Sequence, residues 1–338
     1  MPAPLVAVAS LGGTITMTAA DGPHGVTPSL TARDLTASVP GLARIADIRA
    51  ETLFSKPGAS LGFGDLLRAL DWSRRAAADG AAGIVLVQGT DTLEESGYFL
   101  DLHWDRPEPL VVTGAMRPPQ QPGADGPANL LAAVLTATAP RSRGLGVLTV
   151  LNDEVHAAAR VRKDDTTALD AFGSRPFGPL ARIHERSVHY AALPLRQPPV
   201  PRPRDGGGHP RVALLETFLG DDGELLRLAL DARFDGLVIS AFGAGHVSAA
   251  MAAVVSEAVE KAPVVLASRT GSGSVLSDTY GFPGSEQDLL RRGAVPAGWL
   301  DGRKARLLLW SLLAAGEQGD RIRAEFAARA GGTPSTVL

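Results

Sequence analysis

The stretch VLVQGTDTLEES, residues 85–96, decides the fold. Ile84-Val85-Leu86-Val87 is a continuous apolar run of strand length, and Leu93-Glu94-Glu95-Ser96 opens a helix. Gly89-Thr90-Asp91-Thr92 therefore sits where a strand hands over to a helix. A strand that is apolar throughout is buried on both faces, which predicts a parallel sheet covered by helices. The helix needs one cap, and Thr90, Asp91 and Thr92 all offer one. Some of them are free for a second role.

The same alternation runs along the chain. Apolar runs predict strands at 5–9, 84–87, 110–113, 145–151, 211–215, 237–241 and 264–267. Helical periodicity falls at 93–103, 127–138, 225–232, 248–260, 285–292 and 303–315. This is an α/β chain with mainly parallel sheets. The stretch PLRQPPVPRPRDGGGHP, 194–210, holds six prolines and three consecutive glycines and reads as a linker. It separates an N-terminal domain, 1–193, from a smaller C-terminal one, 211–338.

Composition narrows the function classes. The chain has 338 residues, is 45% hydrophobic and carries a formal charge of −3; its mean hydropathy is +0.07. It can bury sizeable cores. It has no long basic run, which argues against nucleic acid or an anionic membrane as partner. No cysteine occurs, so disulfides and thiol catalysis are excluded. With seven histidines scattered along the chain, no metal site is expected either. The opening MPAPLVAVASLGGT has no basic segment followed by an apolar stretch and cleavage site. No run reaches the ~18 apolar residues of a membrane helix. A cytoplasmic protein is expected.

In open α/β sheets, ligands bind beyond the carboxyl ends of the strands. Four loops there carry unusual chemistry. ASLGGTIT places Gly12 and Gly13, which admit sharp turns and close backbone approach, before the hydroxyl of Thr14. QGTDT is the second. TGAMRPPQQPGADGPANLLAAV, 113–134, is too elaborate for a simple connection; its Asp125 and Asn129 bracket the helix start as caps or loop braces. LNDEVHAAARVRKDDT brings Lys163 after a strand, amid Arg160 and Arg162. Neighbouring cations disfavour an ammonium, which suits a lysine base. Each loop alone reads as a turn, a cap or a surface lysine. Together, two threonines, an aspartate and a lysine suit acyl transfer, because a threonine hydroxyl attacks only when a base takes its proton.

SLGGTIT, VLVQGTDTLEES, VVTGAMRP, ADGPANLLAAV and DGRKARLLL, in this order over nearly the whole chain, resemble the bacterial L-asparaginase/glutaminase family. The resemblance implies a larger N-terminal and a smaller C-terminal α/β domain. It implies hydrolysis of L-asparagine to L-aspartate and ammonia through a threonine acyl-enzyme, with no cofactor and no metal. It also implies a homodimer or homotetramer with active sites between subunits. By motif, Thr14 resembles the nucleophile, and Thr90 with Lys163 the second threonine and its base. Asp91 resembles the residue that holds the substrate α-ammonium. Ala115 matches the backbone position that meets the scissile amide, and Gly13 lies beside the nucleophile. Thr92 is left as the cap.

The sequence departs from the family at three places. The stretch MTAADGPHGVTPSL has no lid tyrosine; His24 is the hydrogen-bonding residue left there. In LFSKPGASLGF the serine for the substrate carboxylate is Ser60 or Ser55, with Ser60 preferred after its Pro-Gly turn. In AFGAGHVS and SGSVLSDTYGFPG, His246 falls near the family's asparagine and Tyr280 near its glutamate. Tyr280 from a partner subunit either replaces the lid tyrosine or packs at the dimer interface, where tyrosine is enriched. Loss of that glutamate predicts a raised KM for the amino acid and a housekeeping role. The rival readings are a glutaminase or other small-amide amidase, and a non-catalytic amino-acid sensor. SLGGTIT matches neither dinucleotide nor P-loop patterns, so a nucleotide-binding module is set aside.

Overall fold

The structure is a computed structural model. It describes residues 2–19, 26–28, 30–204 and 209–330, with 18, 19 and 26–28 as backbone alone. His24 and most of the expected lid lie outside the described residues.

The chain divides into two units, Met1–Pro198 and Pro199–Leu338. In the first unit, the strands are β1 (Leu5–Ser10), β2 (Met17–Ala19), β3 (Val26–Pro28), β4 (Asp47–Thr52), β5 (Gly83–Val87), β6 (Leu110–Thr113), β7 (Val147–Leu151), β8 (Glu154–Ala157), β9 (Arg162–Lys163), β10 (Phe172–Gly173), β11 (Ala181–His184) and β12 (Ser187–Tyr190). Its helices are α1 (Ala32–Ala37), α2 (Phe63–Ala78), α3 (Leu93–His103) and α4 (Gly126–Thr138). Eight strands form one sheet in the order β12-β11-β8-β7-β6-β5-β1-β4. From β4 to β7 the neighbours are parallel; from β7 to β12 they are antiparallel.

Strand alternation feeds two cores. On β1, Val6 and Val8 pack with Leu35 of α1 and Leu130 of α4. Ala7 and Ala9 on the opposite face pack with Leu70 of α2 and Leu100 of α3. Burial on both faces is what the continuous apolar runs demand. It aligns the carboxyl ends of β1, β5, β6 and β7 along one edge of the sheet.

The second unit holds β13 (Val212–Glu216), β14 (Gly236–Ala241), β15 (Val264–Ser268) and β16 (Val295–Pro296), all parallel and in sequence order. Helices α5 (Glu224–Asp231), α6 (Ala249–Val259) and α7 (Glu286–Arg292) bury Leu226, Met251 and Leu289 against one core with Leu237 and Ile239. α8 (Gly302–Ala314) lies so close to the sheet that a side chain at Gly236 would strike Leu309. α9 (Gly319–Arg329) follows it.

The division falls within the proline-rich stretch, whose two arms are anchored. Arg196 donates to the Trp104 carbonyl in the first unit, and the Arg204 amide donates to Ala314 in the second at 2.9 Å.

Candidate active site

Three short 3₁₀ turns, Thr14–Thr16, Gly58–Ser60 and Thr90–Thr92, meet at the carboxyl edge of β1 and β5. Glycine backbones make the meeting possible. Gly13 has φ 91°, and a Cβ there would stand 2.0 Å from the Gly89 nitrogen. A Cβ on Gly89 would come within 2.9 Å of the Gly58 nitrogen, and one on Gly58 within 3.0 Å of the Gly89 carbonyl. At Gly13 and Gly89 a side chain would force the backbone apart, and at Gly58 it would press on it. The turns carrying Thr14, Ser60 and Thr90 are thus packed backbone on backbone.

The loop after β6 closes the group. The Asp125 carboxylate accepts from the Met116 and Arg117 amides, both at 2.9 Å. Asn129 donates to the Gly114 carbonyl at 3.0 Å and accepts from the Asn152 amide at 2.9 Å. Both residues brace the loop, and Asp125 makes no side-chain cap on α4. Gly114 sits against Thr90, and Gly126 against Ile15 and the buried Ala115. Thr14, Thr90 and Ala115 therefore belong to one cluster of loops.

Lys163 reaches Thr90 from β9. Its Nζ donates to Thr90 Oγ1 at 2.9 Å and lies 3.9 Å from Asp91 Oδ1. Thr90 is buried, whereas the Asp91 side chain is 60% exposed and free to meet a solute. The expected crowd of cations around Lys163 is corrected. Neighbours on a strand point to opposite faces, so Arg162 turns toward Asp164, and Arg160 stacks on Phe177, 4.7 Å from the ring centroid. The charge beside the ammonium is a carboxylate.

Thr92 is corrected too. It stands at the start of α3 without a side-chain cap bond; its hydroxyl donates to the Gly58 carbonyl at 2.9 Å. It ties the Ser60 turn to the Thr90 turn. Ser60, exposed, ends that turn, while Ser55 precedes Lys56, which pairs with Asp65 at 2.8 Å. Glu94 was not anticipated. It is 2% exposed and accepts from the Lys163 amide at 2.7 Å. An acidic residue in a first helical turn reads as a dipole partner, which hid this contact.

His246 and Tyr280 lie in the second unit, beside each other, with ring centroids 4.8 Å apart and edge to face. Phe282 flanks His246 at 5.0 Å. Beneath them, Glu286 has no exposed surface. It accepts from the Thr279 and Tyr280 amides at 2.9 and 2.7 Å, and its other oxygen lies 3.1 Å from His246 Nε2. Burial opposes its ionisation, but the amides of Tyr280, Thr279 and its own residue, with His246, outweigh that and lower its pKa. Sequence reading passed over Glu286 because Ser285-Glu286 looks like an ordinary helix start; Ser285 is indeed the cap.

Residues 5–196 match the family described as Asparaginase, N-terminal, and residues 211–326 match the Glutaminase/Asparaginase C-terminal domain. The chain belongs to the asparaginase family. It is 36% identical over 335 residues to a Probable L-asparaginase of Deinococcus radiodurans, spanning 96% of this chain and 98% of that one. L-asparaginase 2 of Escherichia coli is 31% identical, over 90% of this chain and 88% of its own. The crystal structure of a Probable Cytoplasmic L-asparaginase from Campylobacter jejuni superposes with a TM-score of 0.85 at 28% identity, covering 96% and 99% of the two chains. Both units thus have the family's arrangement of a large, mostly parallel sheet domain and a smaller one.

Proposed function

We propose that the protein hydrolyses the side-chain amide of L-asparagine to L-aspartate and ammonia through an acyl-enzyme on Thr14. The observation that carries this reading is the 2.9 Å contact of Lys163 Nζ with Thr90 Oγ1, in the loop packed onto the Thr14 turn. In the neutral state, Lys163 accepts the Thr90 proton. Thr90 then takes a proton from the Thr14 hydroxyl or, in the second half, from water. Thr14 Oγ attacks the amide carbon, ammonia leaves with the transferred proton, and water splits the ester to free Thr14. Ala115 offers its backbone to the scissile amide. The exposed Asp91 carboxylate holds the substrate α-ammonium, and Ser60 holds its carboxylate, with Gly13 admitting the close approach.

In the same reading, a second copy of the chain contributes His246 and Tyr280, so the working form is a dimer or tetramer. The protein acts in the cytoplasm, in keeping with the name of the Campylobacter jejuni relative.

The test is ammonia release from L-asparagine and L-glutamine over a wide concentration range. Thr14→Ala is expected to abolish release, and Lys163→Met to lower kcat by about 10²–10⁴-fold. The two kcat/KM values set the substrate preference. Release that survives Thr14→Ala, or none from the folded wild-type protein, overturns the proposal; in the second case amino-acid binding without turnover becomes the reading to measure.

A further inference from the structure

The hairpin β9–β10 lies on the sheet face covered by α2 and α3, where Val161, Ala171 and Phe172 share a core with Leu93 and Leu151. Apolar burial is non-directional. It sets the depth of the hairpin but does not by itself fix its lateral position over the sheet. Catalytic groups need placement to about 0.5 Å, so the position of Lys163 depends on directional ties.

Glu94 is one such tie. Another stands just past β10, where Ser174 Oγ lies 2.9 Å from His156 Nδ1. His156 is in β8, paired with Thr149 of β7, and both His156 and Ser174 are almost wholly buried. Two residues earlier and on the same face, Glu154 brings Oε2 to 3.3 Å from His156 Nε2 and pairs with Arg182 of β11. Burial first, and the Arg182 charge second, push the His156 pKa down to about 4. At neutral pH the ring therefore carries one proton. Nδ1 and the Ser174 hydroxyl share one hydrogen, with the direction set by which ring nitrogen holds the proton.

We propose that the His156–Ser174 bond is a positioning device for Lys163. It pins the end of β10 to β8, and β10 holds Lys163 through the pairing of Phe172 with Lys163 and the 2.7 Å bond from the Asp164 amide to the Ala171 carbonyl. The proposal rests on Lys163 being the base; neither His156 nor Ser174 meets the reacting atoms.

Two variants separate positioning from plain stability. Ser174→Ala leaves a buried ring nitrogen without its partner, which costs stability. His156→Leu with Ser174→Ala replaces both partners of that bond by apolar groups, while Glu154 keeps its pair with Arg182, so stability is restored. The expected result is a kcat about tenfold below wild type in both variants, with KM within twofold, and a wild-type Tm only in the double variant. A second readout needs no catalysis. Because the chain has only four lysines, at 56, 163, 261 and 304, acetylation of each is followed by mass spectrometry. Lys163 is expected to react several-fold faster in both variants, with Lys56 and Lys261 unchanged. A double variant that regains kcat along with Tm, or an unaltered Lys163 acetylation rate, overturns the proposal. If the wild-type protein releases no ammonia, acetylation still decides the tie, so the two failures are told apart.

Discussion

The two units furnish the carboxyl ends of their strands in opposite ways. In the first, backbone meets backbone: Gly13, Gly58 and Gly89 interlock, and the polar groups riding on them are small. In the second, side chains do the work. His246, Tyr280 and Phe282 stack edge to face above the buried carboxylate of Glu286. Backbone packing has no slack for an added atom, whereas a cluster of partly exposed rings held by one carboxylate can shift. The first arrangement suits the bond-making groups of the proposed reaction, and the second suits recognition.

The sharpest way to break this contrast is to add one carbon to each unit. In Gly13→Ala the new methyl would stand 2.0 Å from the Gly89 nitrogen, at a φ that L-residues resist. Loss of ammonia release and a destabilisation of about 3 kcal/mol or more are expected. At Gly281, nothing lies within 4 Å of an added Cβ, so Gly281→Ala should leave the melting temperature unchanged within about 0.5 kcal/mol of stability. Equal tolerance at both positions would remove the distinction.

The same contrast explains what was legible in the sequence. Strands buried on both faces leave continuous apolar runs, so β5, β6, β7, β14 and β15 were readable. β4 was not, because it is the edge strand and its sequence, DIRAET, is mostly exposed. β11 and β12 escaped for a related reason: they are antiparallel and alternate, as Ala181 and Ile183 are buried while Arg182 and His184 are exposed; β8 is only four residues long and holds a glutamate and a histidine. α2 did leave a trace, since Leu66, Ala69, Leu70 and Ser73 recur at helical spacing on its buried face, but it was not picked out. At the site, Thr14, Thr90 and Lys163 stood out as unusual residues after strands. Glu94, His156 and Glu286 did not, because their roles depend on what lies opposite them in space.

Tyr280 sharpens the contrast from the recognition side. The residue is 43% exposed and its ring stands edge to face with His246; the proposed role requires only its hydroxyl. Tyr280→Phe keeps the ring contact and should lower turnover at least tenfold, measured as kcat for ammonia release. An unchanged rate would reduce Tyr280 to a packing residue, and the missing lid tyrosine would then have no replacement.

A smaller effect than at Gly13 or Tyr280 is expected at Glu286, where the second unit's arrangement is held together. Glu286→Gln keeps the shape but loses the charge that accepts from Thr279, Tyr280 and His246. A cost of about 1–3 kcal/mol at neutral pH follows for a buried acceptor so mismatched. The direction with pH is set by the lowered pKa of the glutamate, below its ordinary value of 4.5. A carboxyl whose pKa falls on folding stabilises the fold above its unfolded pKa, and that contribution is lost as pH drops through the folded pKa. The stability gap between wild type and Glu286→Gln should therefore be full at pH 6–7 and shrink below about pH 4, read from denaturant midpoints across that range. A gap of constant size would mean that shape, and not the carboxylate's charge, holds His246 and Tyr280 together.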